Sequence, residues 1–352
     1  MKDAKILVCY NAPVSVFSLY NGKPENEEPE RKDLSEEGFS KEMEYLTGIL
    51  KENFSEVQSL AVDRRVQKVI DDISAYNPDV ILNFVESVEG IAQFEYCMAA
   101  LFELLGYHYT GNIPSSLGNC LDKERAKSIL RSFGINTPGS LTLEPHRRFS
   151  EKDIDLNYPL IMKLLDEDAS IGISEYSVVK NYKELKKHYK FLSESFKKSI
   201  LVEEYIDGRE LNIAILGDKV LPVSEILFDG LPDEMPKIVT YDGKWIDGSV
   251  YYNFTKPKCP ADLPKRLQKK VEEIALTSFK ALNCRDYARV DVRLDQKGTP
   301  FVIEVNPNPD ISRDSGFARA ANAAGINYTE LLLNITGFAL SRKENDKKTK
   351  AS

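Results

Sequence analysis

Ala288-Arg289-Val290-Asp291-Val292-Arg293-Leu294, followed across Asp295-Gln296-Lys297-Gly298-Thr299-Pro300 by Phe301-Val302-Ile303-Glu304-Val305-Asn306, alternates apolar and polar residues at period two. Each run reads as a strand with one buried face and one chemically loaded face. A two-residue hairpin turn at Lys297-Gly298 sets Asp291 directly opposite Glu304, with Asn306 two residues further along the same face. Facing carboxylates with no cation between them repel, so the pattern asks for a metal. An all-oxygen set of Asp291, Glu304 and Asn306 suits hard Mg²⁺. Arg289 and Arg293 share that face, and a divalent ion beside guanidinium donors suits phosphates and developing negative charge. By spacing alone, an ordinary hairpin with a charged solvent face competes with this reading.

The bulk properties narrow the classes. With 352 residues, 42% hydrophobic and 29% charged, the chain can build two or three packed cores and has no bias toward disorder. A net charge of -8, with acidic residues concentrated from Glu25 to Glu44, argues against a nucleic-acid partner while leaving room for a local basic cleft. Five scattered cysteines without a CxxC pair favour reduced thiols and a cytoplasmic location. The apolar run Ile6 to Val8 is far too short for a signal peptide, and no run of about 18 apolar residues suggests a membrane partner. Only three histidines occur, none in a nucleophile setting, which weakens a histidine-based hydrolytic triad.

Along the chain, the first ~120 residues alternate strand-like and helix-like segments, as in an open parallel sheet with helical crossovers. Strands are expected at 6–8, 57–62 and 80–84, and helices at 35–53, 66–75 and 89–105. Ligands in such sheets sit at the carboxyl ends of strands, here Tyr10 to Pro13 and Asn83 to Gly90, unless these are merely connecting loops. A second unit begins near Asn119, where Asp122 could cap a helix running to Phe133. Strands follow at 160–163, 200–205 and 210–216, with a helix at 182–192. The Gly-, Pro- and Asp-rich stretch 228–264, with the single tryptophan Trp245, reads as a lid, and a helix at 264–282 leads into the hairpin.

Further motifs stand in a specific order: Tyr109-Thr110-Gly111 with Leu121-Asp122-Lys123, Pro159 to Lys163 with Asp168 to Gly172, Leu201 to Leu211, and Glu304-Val305-Asn306-Pro307-Asn308-Pro309. Together they resemble the ATP-grasp ligases, in particular the D-alanine–D-alanine ligase branch, from about Asn83 to Leu333. The resemblance implies an α/β chain, α+β in its ATP-grasp part. An amino-terminal open parallel sheet domain (1–118) would precede two α+β subdomains clamping ATP (119–207 and 208–340) and a disordered basic tail (341–352). It also implies ATP and two Mg²⁺, with Mn²⁺ able to substitute, small amino-acid or amine substrates, and a homodimer. Lys123 and Lys163 would hold ATP phosphates, under a loop that includes Ser170. Glu203, with the main chain of Glu204, Tyr205 and Ile206, would hold adenine, and Glu210 the ribose. Asp291, Glu304 and Asn306 would bind metal. Arg289 would stabilise the oxyanion, Lys244 or the competing Lys237 would reach the γ-phosphate from the lid, and Ser315 would lie near a substrate carboxylate. Bland readings stand beside these: a salt bridge from Lys163 to Asp166 or Glu167, a solvated Glu210, a helix-capping Ser315.

The departures fall where the substrates would bind. Tyr10-Asn11-Ala12-Pro13-Val14-Ser15 lacks the usual glycine-rich turn and glutamate, and Val85-Glu86-Ser87-Val88-Glu89-Gly90 replaces a histidine-containing segment. Ala169 stands for a common serine and Asp310 for a glycine, so Glu86, Glu89 or Asp310 becomes a candidate for a substrate ammonium. The expected function is an ATP-dependent ligase that joins a carboxylate to an amine through an acyl phosphate, amino acid to amino acid. The alternatives are a different amino acid, peptide or amine acceptor, a kinase using the same ATP site, and a non-catalytic ATP-binding regulatory protein.

Overall fold

The computed structural model of the protein describes residues 3–12 and 34–351. In the first sheet β1 (Lys5–Asn11), β2 (Glu56–Val62) and β3 (Val80–Phe84) run parallel in the order β2-β1-β3. Helices α1 (Leu34–Asn53) and α2 (Val66–Tyr76) make the crossovers that parallel neighbours require. Every residue of β3 is buried, as a strand covered on both faces must be. The helix expected from Glu89 is shorter, α3 (Phe94–Leu104). Glu89 and Gly90 take positive φ values of 51° and 71° in a turn closed by Val88 and Ile91, and left-handed residues cannot continue a right-handed helix. The expected Asp122 cap ends one helix, α4 (Pro114–Leu121), and starts the next, α5 (Lys123–Ser132), by accepting from the Arg125 N–H.

The second sheet is antiparallel: β4 (Ser140–Leu143), β5 (Leu160–Leu164), β6 (Val178–Val179) and β7 (Ile200–Glu204) lie in the order β4-β7-β5-β6. Helix α6 (Tyr182–Phe196) covers it through Leu185 and Leu192 on Leu160, Met162 and Val202. The third sheet contains β8 (Arg209–Leu216), β9 (Lys219–Val220), β10 (Ser224–Leu227), β11 (Lys256–Lys258), β12 (Tyr287–Leu294) and β13 (Pro300–Asn306). Its order is β11-β10-β8-β12-β13, with β9 beside β8. Between β10 and β11 lie the short helices α7 (Tyr241–Trp245) and α8 (Val250–Phe254). That segment has its own small core, in which Phe228, Leu231, Ile238 and Tyr251 pack on Ile161 and Ile173. Helix α9 (Lys265–Ala281) and α5 bury Val290, Val292, Val302 and Val305 of the hairpin. The chain closes with α10 (Gly316–Ala323) and α11 (Tyr328–Ala351), which pack with α1 against the first sheet.

The basic tail expected to be disordered instead continues α11 to Ala351. Arg342 donates to the buried Asp286 carboxylate and, at 2.7 Å, to the Tyr109 carbonyl, while Lys343 pairs with Asp79. These anchors are why that turn of helix does not fray.

The hairpin corrects one expectation while keeping its consequence. There is no two-residue turn: Leu294 pairs with Pro300, and the Asp295 carboxylate closes a five-residue loop by accepting from the N–H groups of Lys297 and Thr299. A bulge then shifts the register, so that Val292 pairs with Val302 but Asp291 with Glu304. The loop pairs Leu294 one residue earlier on β13 than a two-residue turn would, and the extra residue at the bulge, Ile303, restores the expected register. The bulge also lets Val302 enter the core while Glu304 turns to the opposite face.

Candidate active site

On the polar face of β12, Arg289 and Asp291 form a paired fork, Nε to Oδ1 at 2.8 Å and Nη2 to Oδ2 at 2.9 Å. Asn212 of β8 donates to Asp291 Oδ1 at 2.7 Å and Asn306 to Oδ2 at 3.0 Å. Opposite Asp291, Glu304 Oε1 meets the Lys123 ammonium at 3.1 Å. The facing carboxylates are therefore each balanced by a cation of the chain itself. Burial would raise the Glu304 pKa, but Lys123 and then Lys163 hold it down at about 2. Burial likewise opposes the Arg289 charge, and Asp291 more than restores it.

Lys123, at the first turn of α5, is 5% exposed and also donates to the Glu167 carbonyl at 2.7 Å and Asp168 at 3.1 Å. Its ammonium stays charged because Asp168 and Glu304 outweigh the desolvation that burial imposes. Lys163 lies one residue before the end of the buried strand β5, which runs on to Leu164, and its counter-charge is neither Asp166 nor Glu167. Those two carboxylates pair with Lys198, and Lys163 pairs with Glu203 at 2.8 Å. Glu203, 1% exposed, takes Lys127 on its other oxygen at 2.5 Å, and the two lysines overcome burial to keep it ionised.

The hinge after β7 is shaped by main-chain bonds. The Glu204 N–H bonds the Gly139 carbonyl and the Tyr205 N–H the Pro159 carbonyl, both at 2.9 Å, and the Glu204 carboxylate accepts from Asn157. Ile206 follows, half-buried. Glu210 is not a solvated strand glutamate: it is 8% exposed and accepts from Arg293 Nη1 at 2.9 Å. Arg293 lies over the Tyr205 ring at 5.1 Å and donates to the Lys237 and Gly208 carbonyls.

The loop after β5 and the lid hold one another. Ala169 and Ser170 both take positive φ, 55° and 62°, a costly conformation for residues with a Cβ. Ser170 Oγ donates to the Val239 carbonyl at 3.0 Å, Trp245 Nε1 to the Ala169 carbonyl at 3.2 Å, and the Tyr241 N–H to the Ile173 carbonyl at 3.0 Å. Lys244 extends from α7 within electrostatic range of Arg289, Glu304, Asp291 and Asp168. The surrounding protein, then Arg289, holds its ammonium below the usual lysine value, although solvent still reaches it.

Ser315 serves as the N-cap of α10, accepting from the Ala318 N–H at 3.1 Å. Glu89 pairs with Arg64 at 2.9 Å, both side chains about half exposed. Glu86 is exposed within the cleft and feels Asp310 and Asp168, and Asp310 itself accepts from the Ser312 N–H. Pro13, Val14 and Ser15, part of the amino-terminal loop singled out above, lie outside the described residues. Two contributors escaped the sequence reading. Asn212 was signalled by the alternation Glu210, Leu211, Asn212, Ile213, which puts it beside Glu210 on the polar face of β8. Lys127 lies one turn beyond Lys123 in a helix whose sequence is polar, and gave no signal of burial.

Among the described residues no helix is long and apolar enough to cross a membrane. Residues 129–336 match the family described as D-ala D-ala ligase C-terminus. The chain is 33% identical over 272 residues to an uncharacterized protein of Sinorhizobium fredii, y4sG, covering 77% of each. It is 33% identical over 237 residues to the D-alanine--D-alanine ligase of Nitrosospira multiformis, covering 67% of this chain and 72% of that one. The ATP-complexed crystal structure of the D-alanine--D-alanine ligase from Bacillus anthracis superposes with a TM-score of 0.73 at 26% identity, over 98% of this chain and 99% of that one. With its parallel amino-terminal sheet, two antiparallel sheets and paired hairpin carboxylates, the chain belongs to the D-alanine–D-alanine ligase family of ATP-grasp enzymes.

Proposed function

We propose that the protein is an ATP-dependent ligase that joins the carboxylate of one amino acid to the amine of another, with ADP and phosphate released. The observation that carries this reading is the face on which Arg289, Asp291, Glu304, Asn306 and Asn212 meet Lys123, with Lys163 and Glu203 beside it. Nucleotide binding alone does not need an arginine aimed at the metal-type carboxylates, whereas stabilising an oxyanion does.

In this reading Lys123 and Lys163 present ammonium groups to the ATP phosphates, the hinge at Glu204 to Ile206 borders the adenine, and Glu210 meets the ribose. Lys123 and Lys163 now face carboxylates of the chain, so a phosphate entering would share cations already charged and oriented. The loop around Ser170 and the lid, already bonded to each other, exclude water from the phosphates. Lys244 is favoured over Lys237 as the lid cation because it feels Arg289, Asp291 and Glu304, whereas Lys237 offers its carbonyl to Arg293.

The donor set fits Mg²⁺. Among the described residues no three His, Cys, Asp or Glu side chains are placed to hold a metal ion by themselves, but Mg²⁺ is commonly held by one or two carboxylates plus substrate phosphates. Asp291, Glu304 and the Asn306 carbonyl would hold it, and Arg289 would yield part of its bond to Asp291. Bound there, it would neutralise charge on the phosphates during transfer. The γ-phosphoryl group passes to the substrate carboxylate, giving an acyl phosphate. The amine then attacks the acyl carbon, and Arg289 stabilises the oxyanion before phosphate leaves. The assembly state proposed is a homodimer in the cytoplasm.

The test is Mg²⁺-dependent ADP and phosphate release with D- and L-amino acids, singly and in pairs, with product masses recorded. A dipeptide mass is expected, and with D-alanine alone it would assign the narrow activity. ADP release without any requirement for an amine would replace the ligase by a kinase.

A further inference from the structure

Among the buried charges that the mechanism above leaves unused, Lys127 lies nearest in sequence to Lys123. Lys127 is 2% exposed and lies on α5, one turn past Lys123. Its ammonium pairs with Glu203 of the second sheet and donates at 2.9 Å to the Ile303 carbonyl. Ile303 is the unmatched residue of the β13 bulge, immediately before Glu304. One ammonium thus ties the carboxylate that orients Lys163 to the backbone kink that turns Glu304 out of the core. A buried lysine is costly, and a methionine or leucine would fill this place without that cost. A bulge leaves main-chain polar groups outside the ladder, and a donor fixed on them fixes the bulge.

From this geometry we infer that Lys127 is a positioning residue, which sets the distance between the nucleotide side of the site, Lys163 and Glu203, and the catalytic hairpin, Glu304. It touches neither nucleotide nor amino acid. It acts by holding the two sheets in one register at the point where phosphoryl transfer would be aligned. The inference rests on the proposed ligase activity for its kinetic consequence, but its structural part concerns the coupling of two sites and can be read without turnover.

The test compares wild type, Lys127→Met and Lys127→Arg at a temperature where thermal melting shows each to be folded. Two quantities are read: the Mg²⁺ dependence of ADP affinity by calorimetry, and kcat against KM for ATP. For Lys127→Met, ADP affinity without Mg²⁺ should stay within about threefold of wild type, and the tightening that Mg²⁺ confers should largely vanish. In the same variant kcat should fall ~10-fold or more with little change in KM, as misplacement of an aligned group does. Lys127→Arg, which keeps the charge and at least one of the two bonds, should recover part of both. If Lys127→Met does not fold, Lys127→Arg alone decides: a melting temperature near wild type with a reduced Mg²⁺ effect supports the inference. Wild-type Mg²⁺ coupling and kcat in every folded variant would overturn it, leaving Lys127 as a stabilising ion pair. Failure of the ligase reading is seen separately, as wild-type protein that binds ADP and Mg²⁺ but turns over no amino acid.

Discussion

At the scale of single residues, the site is made of charges that the chain has already balanced. Lys123, Lys127 and Lys163 face Glu304 and Glu203, and Arg289 faces Asp291. Each partner alone would be expelled from so buried a place or would lose its charge. Such pairing carries a pH dependence. Glu304 titrates near 2 in the folded protein, below its ordinary value of 4.5. The folded state therefore binds fewer protons than the unfolded chain between those values, and the stability this group contributes is present above pH 4.5 and is lost as pH falls toward 2. Urea midpoints measured across that window should drop with acid, and the Glu304→Gln variant should show a shallower drop. An unchanged slope in the variant would mean that Lys123 does not hold Glu304 ionised. That Asp291, Glu304, Asn306 and Arg289 share one face was legible in the sequence because they lie on two adjacent strands. The partner of Lys163 was not, since Asp166 and Glu167 are nearer along the chain than Glu203 but turn to Lys198.

At the scale of elements, the hairpin shows how a local rule can reach the right register by the wrong route. Period-two alternation holds strictly in β12, but Phe301-Val302-Ile303 are three apolar residues in succession. That run is the visible trace of the bulge, and it interrupts the simple alternation expected of β13. The junction between β7 and β8 is equally demanding. Gly208 passes so close to β12 that a Cβ built on it would lie 1.9 Å from the Leu294 carbonyl oxygen, and its own carbonyl accepts from Arg293. Replacing it with alanine must push the junction away from β12, and should destabilise the protein by about 3 kcal/mol while disturbing the Arg293–Glu210 pair. Chemical denaturation would measure this, and a loss under ~0.5 kcal/mol would show that the junction yields freely. The helix expected from Glu89 failed for a reason of the same kind. Its apolar periodicity extends across a turn whose left-handed residues, Glu89 and Gly90, only the backbone reveals.

At the scale of the molecule, three sheets contribute to one cleft and the last helix returns to fasten the first sheet to the third. Arg342 from α11 reaches Asp286, just before β12, and the Tyr109 carbonyl, which follows the first sheet. The Asp286 carboxylate, 4% exposed on its side chain, also accepts from the Gly111 N–H. Arg342→Ala would take from that carboxylate the guanidinium that donates to both of its oxygens, and a loss of about 2–3 kcal/mol is expected, read as a lower urea midpoint. Lys297→Ala, on the exposed hairpin loop, should be neutral by comparison. The sequence by itself determined the alternating strands, the Asp122 cap, the polar face of the hairpin and the order of motifs that marks the family, because these depend on neighbours within a few residues. Only the tertiary structure decided which charges meet. Lys127 and Ile303 are 176 residues apart, and nothing local distinguishes a lysine that will be buried on a polar helix from one that will face water. Packing brings the sheets together, and the cost of a buried charge then selects the partner that can repay it.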